Sequence, residues 1–94
     1  MPATPSPLLS DLVGDDVVVD LASPYVCLGR LVGLDEEYLE LRDADLHDFR
    51  DSQATREIYV YNAARLGIRR NRARVLVRRG EVVGLGRLAD VLES

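Results

Sequence analysis

Few residues in this 94-residue chain are of types that do chemistry, and their spacing limits what that chemistry is. His47 is the only histidine. It has no serine or cysteine beside it that would make a nucleophile–base pair, and it reads as an exposed loop residue. Cys27 is the only cysteine, which excludes an internal disulfide and a cysteine cluster for zinc. Its place in an apolar run reads as a small buried hydrophobe. Asp43, Asp45, Asp48 and Asp51 recur at short intervals, but without the glycine and terminal glutamate of a calcium loop they read as a solvated loop. Gly84-Leu85-Gly86 lacks the third glycine and following helix of a dinucleotide loop. The expected class is therefore non-enzymatic, with no metal and no small-molecule cofactor.

The remaining chemistry is electrostatic. Twelve basic and 16 acidic residues give a net charge of -4, and every basic residue is arginine. The charges are segregated: residues 1–57 carry a net -9 and residues 58–94 a net +5. Seven arginines fall between Arg65 and Arg79 with no acid among them. Planar guanidinium forks in such a zone suit phosphate or carboxylate partners. Arg69, Arg70, Arg72 and Arg79 lie in this zone and are the candidate phosphate contacts.

The elements that position these residues follow from patterning. An apolar fraction of 47% is too high for a disordered chain, and 94 residues suffice for one domain. No apolar run approaches a membrane span and no secretory pattern opens the chain, so a cytoplasmic protein with no membrane partner is expected. Residues 1–7 are rich in Pro, Ser and Thr and read as a disordered tail. Leu8, Leu9 and Leu12 share one face of a short helix that Gly14 stops. Strands are predicted at Val17–Leu21, at Tyr25–Leu34 with a bend or bulge at Gly29, and at Tyr38–Ala44. Residues 45–54 are polar and read as loop. Thr55 and Gly67 bracket a predicted helix whose inner face is Ile58, Tyr59, Asn62, Ala63 and Leu66. Two further strands, Arg74–Arg78 and Glu81–Arg87, flank the turn at Arg79-Gly80. Five short, mostly antiparallel strands over so small a core are expected to bend into a small barrel.

Two stretches carry a resemblance. Gly29-Arg30-Leu31-Val32-Gly33-Leu34-Asp35-Glu36-Glu37-Tyr38-Leu39-Glu40-Leu41-Arg42-Asp43-Ala44 resembles the first motif of the Sm-like (LSm) family at its glycines, Leu31, Asp35 and Asp43. Val75-Leu76-Val77-Arg78-Arg79-Gly80-Glu81-Val82-Val83 resembles the second, a strand, an Arg-Gly turn and a strand of valines. The likeness spans Leu8–Ala44 and Val75–Leu88 and looks like a divergent bacterial-type member with an enlarged segment between the motifs. It implies a mainly β, five-stranded, strongly bent SH3-like barrel at residues 8–94, with a short N-terminal helix and an insertion at about 45–73 that holds a helix. It also implies subunits joined edge to edge in a homo-oligomeric ring. Val75, Val77, Val82, Val83 and Leu85 are then the candidate interface residues, and RNA is a possible partner, for which the resemblance implies Arg79 with Gly80 of the second motif as contacts and Tyr38 as a side chain able to stack on a base. The family places an asparagine after the first turn to read a base; Leu39 stands there, with neither donor nor acceptor.

Two functions of different class follow. One is a self-assembling ring that binds RNA through its arginines. The other is an oligomeric scaffold or protein-interaction module without nucleic acid, in which those arginines pair with acids.

Overall fold

The computed structural model describes residues 6–51 and 55–92. The chain runs α1 (Pro7–Ser10), β1 (Asp16–Leu21), β2 (Tyr25–Leu34), β3 (Tyr38–Asp48), α2 (Arg56–Leu66), β4 (Arg72–Arg78) and β5 (Val82–Arg87). Residues 1–5 of the expected tail lie outside the described residues. Ser6 and Pro7 are the N-cap and first residue of α1. Gly14, at φ +99°, ends that helical turn, and its N–H bonds the Leu31 carbonyl at 2.7 Å.

All five strands form one antiparallel sheet in the order β4-β3-β2-β1-β5. Laid flat, β4 and β5 would stand about 19 Å apart. A single 3-10 turn, Arg79–Glu81, joins them, and even extended that link reaches only about 14 Å. The sheet must therefore bend, as expected. It does not close: β4 and β5 do not pair, so the expected barrel is instead an open bent sheet with two free edges.

Both faces of the sheet are covered at its centre. Val17, Val19, Cys27, Leu31, Leu39, Leu41, Ala44 and Val77 pack on one face. On the other, Val18, Val26 and Leu28 meet Val60 and Ala63 of α2 and Leu88 of the last turn. This explains the unbroken Val17-Val18-Val19 run, since a strand buried on both sides does not alternate. Gly29 takes the bulge predicted for it. The β2–β3 register shifts between Leu28 and Arg30, Asp43 opposite adopts φ +50°, and a Cβ on Gly29 would lie 2.9 Å from that of Ala44.

Two expectations are corrected. Residues 45–48 are strand, because β3 continues past the bulge to pair Asp45, Leu46, His47 and Asp48 with Leu28, Cys27, Val26 and Tyr25. Their polarity hides this, since the buried Asp45 is satisfied by side chains distant in sequence. Helix α2 has the predicted caps: the Thr55 hydroxyl accepts from the Ile58 amide (3.2 Å), and Gly67 takes φ +96°. Of its predicted inner face, Ala63 is buried and Tyr59 packs against the same cluster, joined by Val60, whereas Ile58 and Leu66 are 53% and 81% exposed. The Arg56 guanidinium reaching Asp20 of β1 at 3.4 Å accompanies that rotation.

Candidate nucleic-acid interface

The β2–β3 turn and the β4–β5 turn meet at one end of the sheet. The Asp35 carboxylate accepts from the amides of Tyr38 and Glu37, both at 2.8 Å, and these bonds hold its pKa below the usual carboxylate value. The Arg79 amide donates to the Glu37 carbonyl at 2.7 Å, and its guanidinium donates to the Asp35 carbonyl. Arg79, the exposed Gly80 and the half-buried Tyr38 therefore stand together. Leu39 points into the core at 1% exposure.

Arg69, Arg70 and Arg72 lie elsewhere. They occupy the link from α2 into β4, and β4 then runs seven residues, about 20 Å, before reaching Arg79. The four arginines form two groups at opposite ends of one edge strand. Of the seven arginines from Arg65 to Arg79, Arg74 alone forms an ion pair among the described residues, with Glu40 at 2.7 Å. Arg69, Arg70 and Arg72 are exposed.

Behind Arg69 and Arg70 is a cavity of about 650 Å³ bordered by Asp45, His47, Tyr59 and Asn62. The Asp45 carboxylate, 5% exposed, accepts from the Tyr59 hydroxyl and from Asn71 Nδ2 at 2.8 Å. Asn71 also bonds the Leu46 backbone through both ends of its amide. His47 is not the exposed loop residue expected. It stacks on Tyr59 at 4.1 Å and 13°, with Nε2 buried and unbonded. Asn71, the only uncharged polar residue among the arginines before β4, was the available signal for this network. Burial, with Asp45 nearby, pushes the Cys27 thiol up to about 12, consistent with a packing role. Asp43 faces Arg30 (3.6 Å) and Asp48 faces Arg50 (2.8 Å), while the Asp51 side chain lies outside the described residues. No cluster of three metal-ligating side chains occurs among the described residues.

The interface candidates sit on the two free edges. Val75 and Val77 of β4, and Val82 and Leu85 of β5, turn their side chains toward the core; Val83 is 69% exposed. What β4 and β5 offer outward is chiefly unpaired backbone N–H and C=O groups. No described helix is long and apolar enough to cross a membrane.

No protein-family model and no curated protein matches the chain by sequence. Solved structures do match it. An Sm protein of Pyrococcus abyssii, in complex with a uridine heptamer, superposes with a TM-score of 0.61 at 18% identity, over 90% of this chain and 99% of that one. An Sm-like protein from Archaeoglobus fulgidus gives 0.58 at 18% identity, over 90% and 97%. A chain of the NatC complex bound to Gag peptide and CoA gives 0.52 at 22% identity, over 82% and 86%. The open, bent, five-stranded sheet with its N-terminal helix is thus an Sm-like fold.

Proposed function

We propose that the chain is a non-enzymatic, self-assembling Sm-like protein that binds single-stranded RNA through arginine-rich surface. The observation that carries this reading is the uncompensated charge at the entry to β4. Arg69, Arg70 and Arg72 are exposed and have no ion pair among the described residues, although the chain as a whole is acidic. Free guanidinium groups beside a cavity with a stacked His47–Tyr59 pair suit a phosphate backbone with a base nearby. The uridine heptamer held by the Pyrococcus abyssii protein of the same fold adds support. Self-assembly is supported by the free edges of β4 and β5, of which β5, at Val82-Val83-Gly84-Leu85, carries few of the charges that usually protect a sheet edge.

The test is anisotropy of a labelled oligouridine titrated with protein across a salt series. The wild type binds, and its affinity falls with salt. The triple variant Arg69→Glu, Arg70→Glu, Arg72→Glu loses at least about tenfold, and its log–log salt slope is shallower by about 2. Absence of binding by the wild type at low salt overturns the RNA reading. The scaffold reading would then take its place. It is favoured by the likeness to a chain of the NatC complex, and by the acids Glu36 and Glu37 beside Arg79, which oppose a phosphate there.

A further inference from the structure

Tyr59, Asn62 and Leu66 recur on one face of α2 and border the cavity of about 650 Å³ that lies between this helix and the end of β3. Val60 and Ala63 beside them seat the helix on the sheet. Leu66 lines the cavity yet is 81% exposed, so part of its wall is an uncovered apolar side chain. Two asparagines border the same space and are used differently. The Asn71 amide is committed to structure. Its Nδ2 donates to Asp45 at 2.8 Å and to the Leu46 carbonyl at 3.3 Å, and its Oδ1 accepts from the Leu46 amide at 3.1 Å. The Asn62 side chain is exposed and has no hydrogen bond among the described residues. It presents donor and acceptor side by side. Asp45, which accepts from Tyr59 and Asn71, keeps lone pairs for a further donor.

Positive charge stands at the same place. Gly67 ends α2 at φ +96°, and the chain then passes Arg69 and Arg70, both exposed and both bordering the cavity. An apolar wall, an uncommitted amide, a carboxylate and two guanidinium groups match the parts of a nucleotide, which are a flat ring, a hydrogen-bonding edge and a phosphate. The edge chemistry selects the base. A carboxylate only accepts, so Asp45 favours an exocyclic amino group, and an asparagine amide pairs with adenine through N6 and N7. Uracil has no amino group to offer. The far end of β4 is less suited to reading a base, because Leu39 is buried there and Glu36 and Glu37 adjoin Arg79.

We propose that the cavity between α2 and β3 receives one adenylate of a bound RNA, its base edge on Asn62 and Asp45, its ring against Leu66 and its phosphate on Arg69 and Arg70. The inference rests on the RNA reading above and names the base that is read and the place where it is read. Phosphate contacts position a nucleic acid and base contacts specify it. Affinity and base choice therefore belong to different residues here. Arg69 and Arg70 hold a phosphate of any sequence, whereas Asn62 and Asp45 distinguish adenine from uracil. Asn62 is exposed and packs against nothing that holds the sheet together, so it can be changed without touching the core.

The test measures anisotropy of labelled oligoadenylate and oligouridylate of equal length, over a salt series, for wild type and Asn62→Leu, with AMP titrated by calorimetry alongside. The wild type binds oligoadenylate at least about tenfold more tightly than oligouridylate at each salt concentration. In Asn62→Leu the two affinities come within about threefold of each other, because the amide that pairs with adenine is gone. The variant keeps its circular dichroism, its oligouridylate affinity and its salt slope, since both arginines remain. If its spectrum changes, Asn62→Ala takes its place with the same expected loss of preference. Equal, salt-dependent binding of both oligonucleotides by the wild type overturns the adenylate site and leaves the RNA reading standing. A preference that survives Asn62→Leu overturns this cavity as its source. AMP binding without binding of either oligonucleotide assigns the cavity to a free nucleotide and overturns the RNA reading. Binding of none of the three overturns both.

Discussion

Arg79 holds two turns of the sheet together. Its guanidinium and amide lock the β4–β5 turn to the β2–β3 turn through the Asp35 and Glu37 carbonyls. A guanidinium has five N–H donors, so a bond to one carbonyl leaves others for a ligand at that end of the sheet. The carboxylates nearby act mainly on local structure. Asp48 is clasped by Arg50, with side-chain bonds from 2.8 Å and a further bond from the Arg50 amide, and its pKa falls to about 2. Asp35 is lowered by the amides that cap its turn. In the unfolded chain both titrate near about 3.9. Each folded pKa lies below the unfolded one, so the stabilisation is fully present above that value and is lost as pH falls through the folded pKa. Asp35 is solvent-exposed and Asp48 half-buried beside an exposed Arg50, so solvent screening keeps the effect small. Urea unfolding of wild type and Asp48→Asn should therefore differ at neutral pH, and the difference should shrink steadily from about pH 4 to about pH 2. A difference constant across that window contradicts the assignment.

At the scale of elements, the β2–β3 pair carries a bulge at Gly29. Gly29 and Ala44 meet at the bulge with no room for a methyl group, the nearest atoms of Ala44 and Arg42 lying 2.9–3.2 Å from an added Cβ. Gly29→Ala should cost about 1–3 kcal/mol in chemical denaturation, because backbone must move to admit it. A variant as stable as the wild type shows that the bulge yields freely. This glycine was legible in the sequence because it interrupts an otherwise regular strand, and the caps of α2 were legible because Thr55 and Gly67 act through their own backbone neighbourhood. The face of α2 was legible only in part, at Tyr59 and Ala63. Ile58 and Leu66 are more apolar than Ala63, yet the sheet surface under the helix admits Val60 and Ala63, a choice made by tertiary packing. The last four residues of β3 were hidden for a related reason. Asp45 looks like loop until Tyr59 and Asn71 come near enough to satisfy its carboxylate. The same distance along the chain concealed the His47–Tyr59 stack.

For the whole molecule, two asymmetries meet. The sheet ends in two unlike free edges, β4 and β5, and the chain's positive charge is concentrated on the approach to one of them. Joined edge to edge, successive subunits would continue the sheet and repeat the Arg69–Arg72 cluster at every step, giving a flexible RNA several equivalent contacts. Repetition raises the avidity of contacts that are individually weak. The two motifs at Gly29–Ala44 and Val75–Val83 make this fold legible in the amino-acid sequence, because bulge, turn and strand must follow one another at that spacing. They leave closure open: whether β4 and β5 pair within the chain depends on how far the sheet bends, which no local signal encodes. The most direct test of a self-assembling RNA-binding protein is light scattering coupled to size exclusion at low salt, with absorbance read at nucleic-acid and protein wavelengths. With four tyrosines and no tryptophan the chain absorbs little, so carried RNA dominates the ratio. The account predicts a mass of several chains with a nucleic-acid signal that a salt wash removes. A monomer free of nucleic acid would contradict it.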